Sequence, residues 1–158
     1  MTQKTKILFI CTGNICRSPL AHRLFEKIAD ERGVGHLFEA ESAGTGSWHV
    51  GQNADPRTRE SARQRGWELS HYANQLKKQD IDYYDHLVVM DESHFQHCVR
   101  LGGDEYPGKI KYLRKFDPLN AGNMDVPDPY YGEQDGFDLV YDICERSCSA
   151  FLDHLLAN

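Results

Sequence analysis

The stretch KILFICTGNICRSPLAHRLF, residues 6–25, carries an apolar run into a polar cluster and then back into apolar residues at helical spacing. Lys6 to Ile10 reads as a strand, and Leu20, Ala21, Leu24, Phe25, Ile28 and Ala29 mark one face of a helix that Gly33 and Gly35 end. Ser18 and Pro19 are expected to start that helix. Serine suits the cap, and proline the first helical position, where its missing N–H would have had no intrahelical partner. Between strand and helix lie Cys11, Thr12, Gly13, Asn14, Ile15, Cys16 and Arg17. In an open α/β sheet, ligands bind at the carboxyl ends of the strands, which is where this turn falls.

Outward from this turn, strand and helix signals alternate along the chain, the pattern of an α/β fold. A second strand is expected at Phe38 to Ser42. Asp55 and Pro56 repeat the cap-then-proline signal for a helix ending near Gly66. HLVVM, residues 86–90, reads as a buried strand, followed by a helix from Glu92 to Leu101, and Lys109 to Phe116 is expected to be a fourth strand. The Pro/Gly/Asp-rich stretch DPLNAGNMDVPDPYYGEQDG then precedes a last helix from Phe137 to Leu155. Loops of that length inside a compact domain are usually functional.

The chain has 158 residues, 40% of them hydrophobic, which suits one domain with a real core. Eighteen basic against twenty-four acidic side chains give a net charge of −6, and no long basic run offers a footprint for nucleic acid. The amino terminus lacks the apolar core of a signal peptide and no apolar stretch is long enough to span a bilayer, so a cytoplasmic protein is expected. Five cysteines at 11, 16, 98, 144 and 148 are odd in number and follow no secreted framework, which points to reduced thiols.

The chemistry of the opening turn follows from its placement. Backbone N–H groups of such a turn, together with the positive end of the helix, form a cradle for a tetrahedral oxyanion. Gly13 is expected to take a backbone conformation closed to most residues, and Asn14 tolerates a left-handed one better than most. Arg17 adds a planar fork matched to two phosphate oxygens. The same positive field favours a thiolate at Cys11, and Ser18 is placed to donate a hydrogen bond to it. A lone cysteine is more often a packing residue; the strand-to-helix placement with Gly13, Asn14, Ser18 and Pro19 reverses that preference.

The segments CTGNICRSP, ESAGTGSWHVGQNADPRTRESARQRG, LSHYANQL, VVMDES and DPYYGEQDGFDLVYDIC together resemble the low molecular weight protein tyrosine phosphatases over nearly the whole chain. The resemblance implies a single domain over residues 1–158, with a four-stranded parallel sheet flanked by helices on both faces. It also implies neither metal nor cofactor, and a cysteinyl-phosphate intermediate. Partners are then phosphotyrosine-containing proteins, with inorganic phosphate or a similar oxyanion in the loop.

By that resemblance Cys11 is the nucleophile, Arg17 the oxyanion clamp and Asp128 in VPDPYYG the acid that protonates the departing tyrosyl oxygen, although an aspartate before proline often only begins a turn. Trp48, Tyr130 and Tyr131 match positions that wall the cleft around a phenyl ring. Asn14, Ser42 and His71 match residues that brace the phosphate loop, and Asp91 a supporting carboxylate. Asn74 stands where many members carry arginine, which puts a peripheral salt bridge in question. Cys16 is placed either to pack or to form a protective disulfide with an oxidised Cys11. Cys98, Cys144 and Cys148 read as packing thiols. His94, His97 and Cys98 suggest a metal only superficially, because a fourth ligand at usual spacing is missing. Two alternatives stand beside the phosphatase: an arsenate reductase on the same fold, which needs further relay cysteines, and a non-catalytic phosphate-binding module.

Overall fold

The computed structural model describes residues 3–157. Four parallel strands, β1 (Thr5–Cys11), β2 (Phe38–Gly44), β3 (His86–Val89) and β4 (Ile110–Tyr112), form one sheet in the order β2-β1-β3-β4. Five helices complete the fold: α1 (Arg17–Glu31), α2 (Pro56–Gln64), α3 (Lys78–Tyr83), α4 (Glu92–Arg100) and α5 (Gln134–Leu156). The α/β architecture with a four-stranded parallel sheet is therefore as expected. The chain leaves β1 for β2 on one side and later reaches β3 on the other, so the turn after β1 lies where the winding reverses. Such a reversal opens a crevice at the strands' carboxyl ends.

Strand alternation decides which layer each residue joins. In β1, Ile7, Phe9 and Cys11 face a core shared with Leu24 and Phe25 of α1 and Phe151 of α5, whereas Leu8 and Ile10 face the opposite layer with Ile81 of α3 and Cys98 of α4. Phe9, Phe25 and Phe151 meet at ring-centroid distances of 5.8 to 6.4 Å. Cys11 is thus the last inward residue of a central strand, and core packing fixes its position. Gly33 closes α1 in a left-handed conformation (φ 74°), as a glycine just past a helix end often does.

Several boundaries differ from the sequence expectation. Helix α1 begins at Arg17, with Cys16 in the cap position and no side-chain cap bond. Ser18 and Pro19 are therefore inside the first turn, and no serine cap competes for the first-turn N–H groups. The expected fourth strand is short: β4 ends at Tyr112, and Leu113–Phe116 is a 3-10 turn that points Leu113 and Phe116 into the α5 side of the core. Helix α5 starts at Gln134 rather than Phe137, its first turn tied to α2 by Gln134 Nε2 donating to Arg57 O (2.9 Å) and Ser61 Oγ (3.0 Å). Helix α3 has no counterpart in the sequence expectation, since KQDIDY buries only Ile81 and shows no periodicity. The Asp55–Pro56 start of α2 is as expected, with Asp55 accepting from the Arg57 N–H at 2.8 Å. Among the described residues no helix is long and apolar enough to cross a membrane.

Candidate active site

The turn after β1 is fixed by Asn14, which is completely buried and left-handed (φ 57°). Its amide donates to Ser18 Oγ (2.7 Å) and Ser42 Oγ (3.0 Å). Its side-chain oxygen accepts from the Asn74 N–H (2.8 Å) and from His71 Nε2 (3.0 Å), which also reaches the Asn14 carbonyl at 2.8 Å. Asn14 thus joins β1, α1, β2 and the 71–74 segment in one satisfied network. Position 74 contributes its backbone, so an asparagine there braces the loop as well as any other side chain. Gly13, against expectation, has no positive φ; it is kept small by His49, whose Cδ2 would lie 3.0 Å from an added Cβ. Gly44 at the end of β2 packs still closer, since a Cβ there would sit 2.7 Å from Thr12 O.

Cys11 Sγ lies 2.9 Å from Ser18 Oγ, the hydroxyl that also accepts from Asn14. The Asn14 amide fills one of the two acceptor positions of the Ser18 oxygen, which ties the hydroxyl beside the sulfur to the loop. Arg17 is 2% exposed; its Nη1 donates to Asp91 Oδ2 (2.8 Å) and Val126 O (2.9 Å), and its Nη2 to Thr12 Oγ1 (3.3 Å). Arg17 Nη2 is also 3.7 Å from Asp128 Oδ2. Burial alone would raise the Asp91 carboxyl, but hydrogen bonds from Ser93 and Arg17 and the charge of Arg17 outweigh it and hold Asp91 at about 2. Burial dominates at His71 and pushes its ring down to about 4, so it braces the loop as a neutral imidazole.

A cavity of 360 Å³ opens over this loop, lined by Cys11, Thr12, Gly13, Ile15, Cys16, Arg17, Trp48, His49, Asp128, Tyr130 and Tyr131. That volume suits a small ligand. Trp48 and Tyr131 line it while 71% and 93% exposed, so both rings stand largely in solvent. Asp128 both faces the cavity and begins a turn, its Oδ1 accepting from the Tyr130 N–H at 3.1 Å. A wider cavity of 1040 Å³ at the β2 edge is lined by acidic and tyrosine side chains, with no cysteine, histidine or arginine among its described lining residues.

Of the residues singled out for the site, Cys11, Thr12, Gly13, Ile15, Cys16, Arg17, Trp48, Asp128, Tyr130 and Tyr131 line this cavity, whereas Asn14, Ser18, Ser42, His71 and Asp91 stand behind it in the hydrogen-bond network of the loop. Cys98, Cys144 and Cys148 are fully buried, and burial pushes their thiols up, to about 12 for Cys98 and Cys144. Cys98 and His94 part company, since Cys98 packs in the far layer while His94 Nε2 is 2.9 Å from Thr12 Oγ1. Sequence reasoning missed His94 as a partner of the loop, His49 as a wall, and Arg57. The Arg57 guanidinium pairs with Asp55 (3.0 Å) and donates to Tyr130 O (3.0 Å) and Gly132 O (2.9 Å). Only the Asp-x-x-His spacing from Asp91 to His94 could have signalled the first, and nothing local marks the other two.

Residues 6–158 match the family model described as low molecular weight phosphotyrosine protein phosphatase. The chain belongs to that family. Its members are metal-independent hydrolases. The phosphatase is 42% identical over 149 residues to the low molecular weight protein-tyrosine-phosphatase of Streptomyces coelicolor, covering 93% of this chain and 91% of that one. It is 37% identical to the low molecular weight phosphotyrosine protein phosphatase of Sus scrofa, covering 96% of each. Among solved structures, a protein tyrosine phosphatase from Entamoeba histolytica with Hepes in its active site superposes with a TM-score of 0.92 at 32% identity, covering 98% of both chains.

Proposed function

We propose that this phosphatase, one domain over residues 1–158, hydrolyses phosphotyrosine in proteins, and small aryl phosphates, in two steps. Cys11 thiolate attacks phosphorus; a P–S bond forms as the P–O bond to the tyrosyl oxygen breaks, and Asp128 gives that oxygen its proton. Water then attacks the phosphorus of the cysteinyl phosphate while the Asp128 carboxylate takes a proton from it; a P–O bond forms as the P–S bond breaks, Cys11 thiolate is regenerated, and inorganic phosphate leaves the loop. Arg17 and the loop N–H groups carry the charge on the equatorial oxygens in both steps. Trp48, Tyr130 and Tyr131 hold the phenyl ring.

The observation that carries the reading is the convergence of Cys11, Arg17 and Asp128 on one cavity whose remaining walls are largely aromatic. The arsenate alternative needs thiols to relay electrons away, and Cys98 packs in the far layer of the sheet. A non-catalytic binding module has no use for a carboxylate 3.7 Å from the buried guanidinium. Cys16 shares the cavity with Cys11, which supports a protective disulfide after peroxide oxidation, and the five free thiols support a reducing, cytoplasmic setting.

The test is turnover of a phosphotyrosine peptide in the presence of a chelator. The wild type is expected to hydrolyse it, and Cys11→Ser to lose roughly 10³-fold or more while still binding inorganic phosphate. Appreciable turnover in that variant removes Cys11 from its role.

A further inference from the structure

His94 is the one imidazole that reaches the phosphate loop from α4, and no step of the proposed reaction uses it. The ring is completely buried. Its Nδ1 accepts the Asp91 N–H at 3.2 Å, closing a capping box at the start of α4. Burial and then the charge of Arg17 push it down to about 4, so at neutral pH the ring is uncharged. A neutral imidazole that accepts at Nδ1 carries its proton on Nε2. Two described contacts favour the other tautomer: Asp91 Oδ1, 3.4 Å from Nδ1, which already accepts the Ser93 N–H (2.9 Å) and hydroxyl (2.5 Å), and the Arg17 Nη2 N–H, 3.5 Å from Nε2, which has its shorter contact to Thr12 Oγ1 at 3.3 Å.

The Nε2 proton therefore points at Thr12 Oγ1, 2.9 Å away, and Arg17 Nη2 reaches the same oxygen from 3.3 Å. Nε2 and Nη2 are 3.5 Å apart; both carry hydrogens, so neither accepts from the other and both converge on Thr12. A hydroxyl has two acceptor positions and one hydrogen. With both acceptor positions filled by donors, the hydroxyl is left only to give. Thr12 lines the cavity beside Cys11, Arg17 and Asp128.

We propose that His94 and Arg17 turn the Thr12 hydroxyl into a committed donor aimed into the cavity, where it bonds an oxygen of the phosphoryl group next to Arg17. Thr12 is then a specific side-chain ligand of the oxyanion, in addition to its backbone, and His94 is a positioning residue that acts through it. Asp91 sets both: its carboxylate holds Arg17 Nη1 at 2.8 Å, while its backbone N–H fixes the His94 tautomer. The inference rests on the reading of this cavity as the phosphoryl site.

The experiment measures the inhibition constant of inorganic phosphate and kcat/KM on phosphotyrosine for wild type, Thr12→Ser, Thr12→Val, His94→Leu and the Thr12→Val/His94→Leu double variant. A hydrogen bond to a charged group predicts about ten- to hundredfold weaker phosphate binding in Thr12→Val, with Thr12→Ser within a few-fold of wild type. His94→Leu should weaken it in the same direction, and the double variant should be no worse than Thr12→Val, because residues acting as one unit are not additive. Losses that add would make His94 a structural residue alone and overturn the positioning role. The tautomer is read independently from ring 15N shifts of the wild type: a proton on Nδ1 overturns the proposal even where His94→Leu fails to fold. An inactive wild type, or an active Cys11→Ser, breaks the phosphatase reading, whereas an active wild type matched by Thr12→Val breaks only the Thr12 assignment.

Discussion

Two loops make the candidate site, and they are built on opposite plans. The turn from Cys11 to Arg17 is largely buried, and its asparagine and arginine are joined to β2, the start of α4 and the 71–74 segment. The loop over residues 117–133 is mostly exposed and hangs from a few anchors. Asp117 is clamped by Arg114 and Arg146, and Val126 is buried, its N–H donating to Met90 O and its carbonyl accepting from Arg17 Nη1. Arg114 and Arg57 donate to the carbonyls of Asp125, Tyr130 and Gly132. Between the anchors Asp128 and Tyr131 are free to meet solvent. The difference matches what each loop does in the proposed reaction. An oxyanion cradle gains from donors fixed before the charge arrives, whereas a group that gives and then retrieves a proton must let a leaving group out and water in.

The largest effect expected from separating the two is Asp128→Ala. It should cost on the order of 10²- to 10⁴-fold on phosphotyrosine, the range of a general acid, and leave phosphate binding nearly unchanged. Rapid-mixing bursts with aryl phosphates of graded phenol pKa should show a steeper dependence on leaving group than in the wild type. Identical slopes would take the acid role from Asp128 and leave the cradle standing.

Asn14→Ala attacks the other plan. It removes the acceptor of the Asn74 N–H and the donor to two serine hydroxyls, and leaves His71 Nε2 only the Asn14 carbonyl; a buried group left unpaired costs about 1–3 kcal/mol. A loss of roughly 3 kcal/mol in urea unfolding is expected, accompanied by weaker phosphate binding. A variant as stable as wild type would mean that the cradle is less prearranged than its hydrogen bonds suggest.

Arg57→Ala tests the anchors instead. Its bonds to Tyr130 O and Gly132 O are partly exposed, so stability should change by no more than about 1 kcal/mol. Turnover should fall by roughly tenfold, because misplacing a catalytic group is costly even when the fold survives. A large stability loss with unchanged turnover would reverse this picture.

The smallest effect is a pH dependence that belongs to the cradle. His71 and His94 titrate near 6.5 when unfolded and at about 4 when folded, because burial favours the neutral ring. Between those values the unfolded chain binds more protons, so their contribution is complete above pH 6.5 and is lost as the pH falls through about 4. Thermal midpoints should drop across that window, and less steeply in His94→Leu. A midpoint flat from pH 6.5 to 4 would show that neither ring is held neutral.

How much of the site is readable in the residues differs between the loops in the same way. The 6–25 stretch encodes its own placement, because an apolar run, a tight polar turn and a helical stripe are local patterns. Cys11 and Arg17 are therefore legible as neighbours on that turn from the local pattern. Even there, the helix start shifts by a residue or two: local preference makes Ser18 a cap, but the tertiary network turns its hydroxyl to Asn14 and Cys11 instead. The 117–133 stretch has no periodicity, and Asp128 stands out in it only through a motif that resembles a known one.

What the sequence by itself determined is the alternation of strand and helix, the thiol and arginine on the turn between them, and the aromatic and acidic residues reserved for one long loop. These follow from spacing and side-chain chemistry along the chain. What only the tertiary structure decided is which distant groups close on that turn, Asp91 and His94 from the start of α4 and His71 and Asn74 from an irregular segment, and that Arg57 of α2 anchors the other loop. Hydrogen-bond partners separated by tens of residues leave no periodic trace, because a single polar atom at bonding distance suffices and nothing nearby in the chain need repeat it.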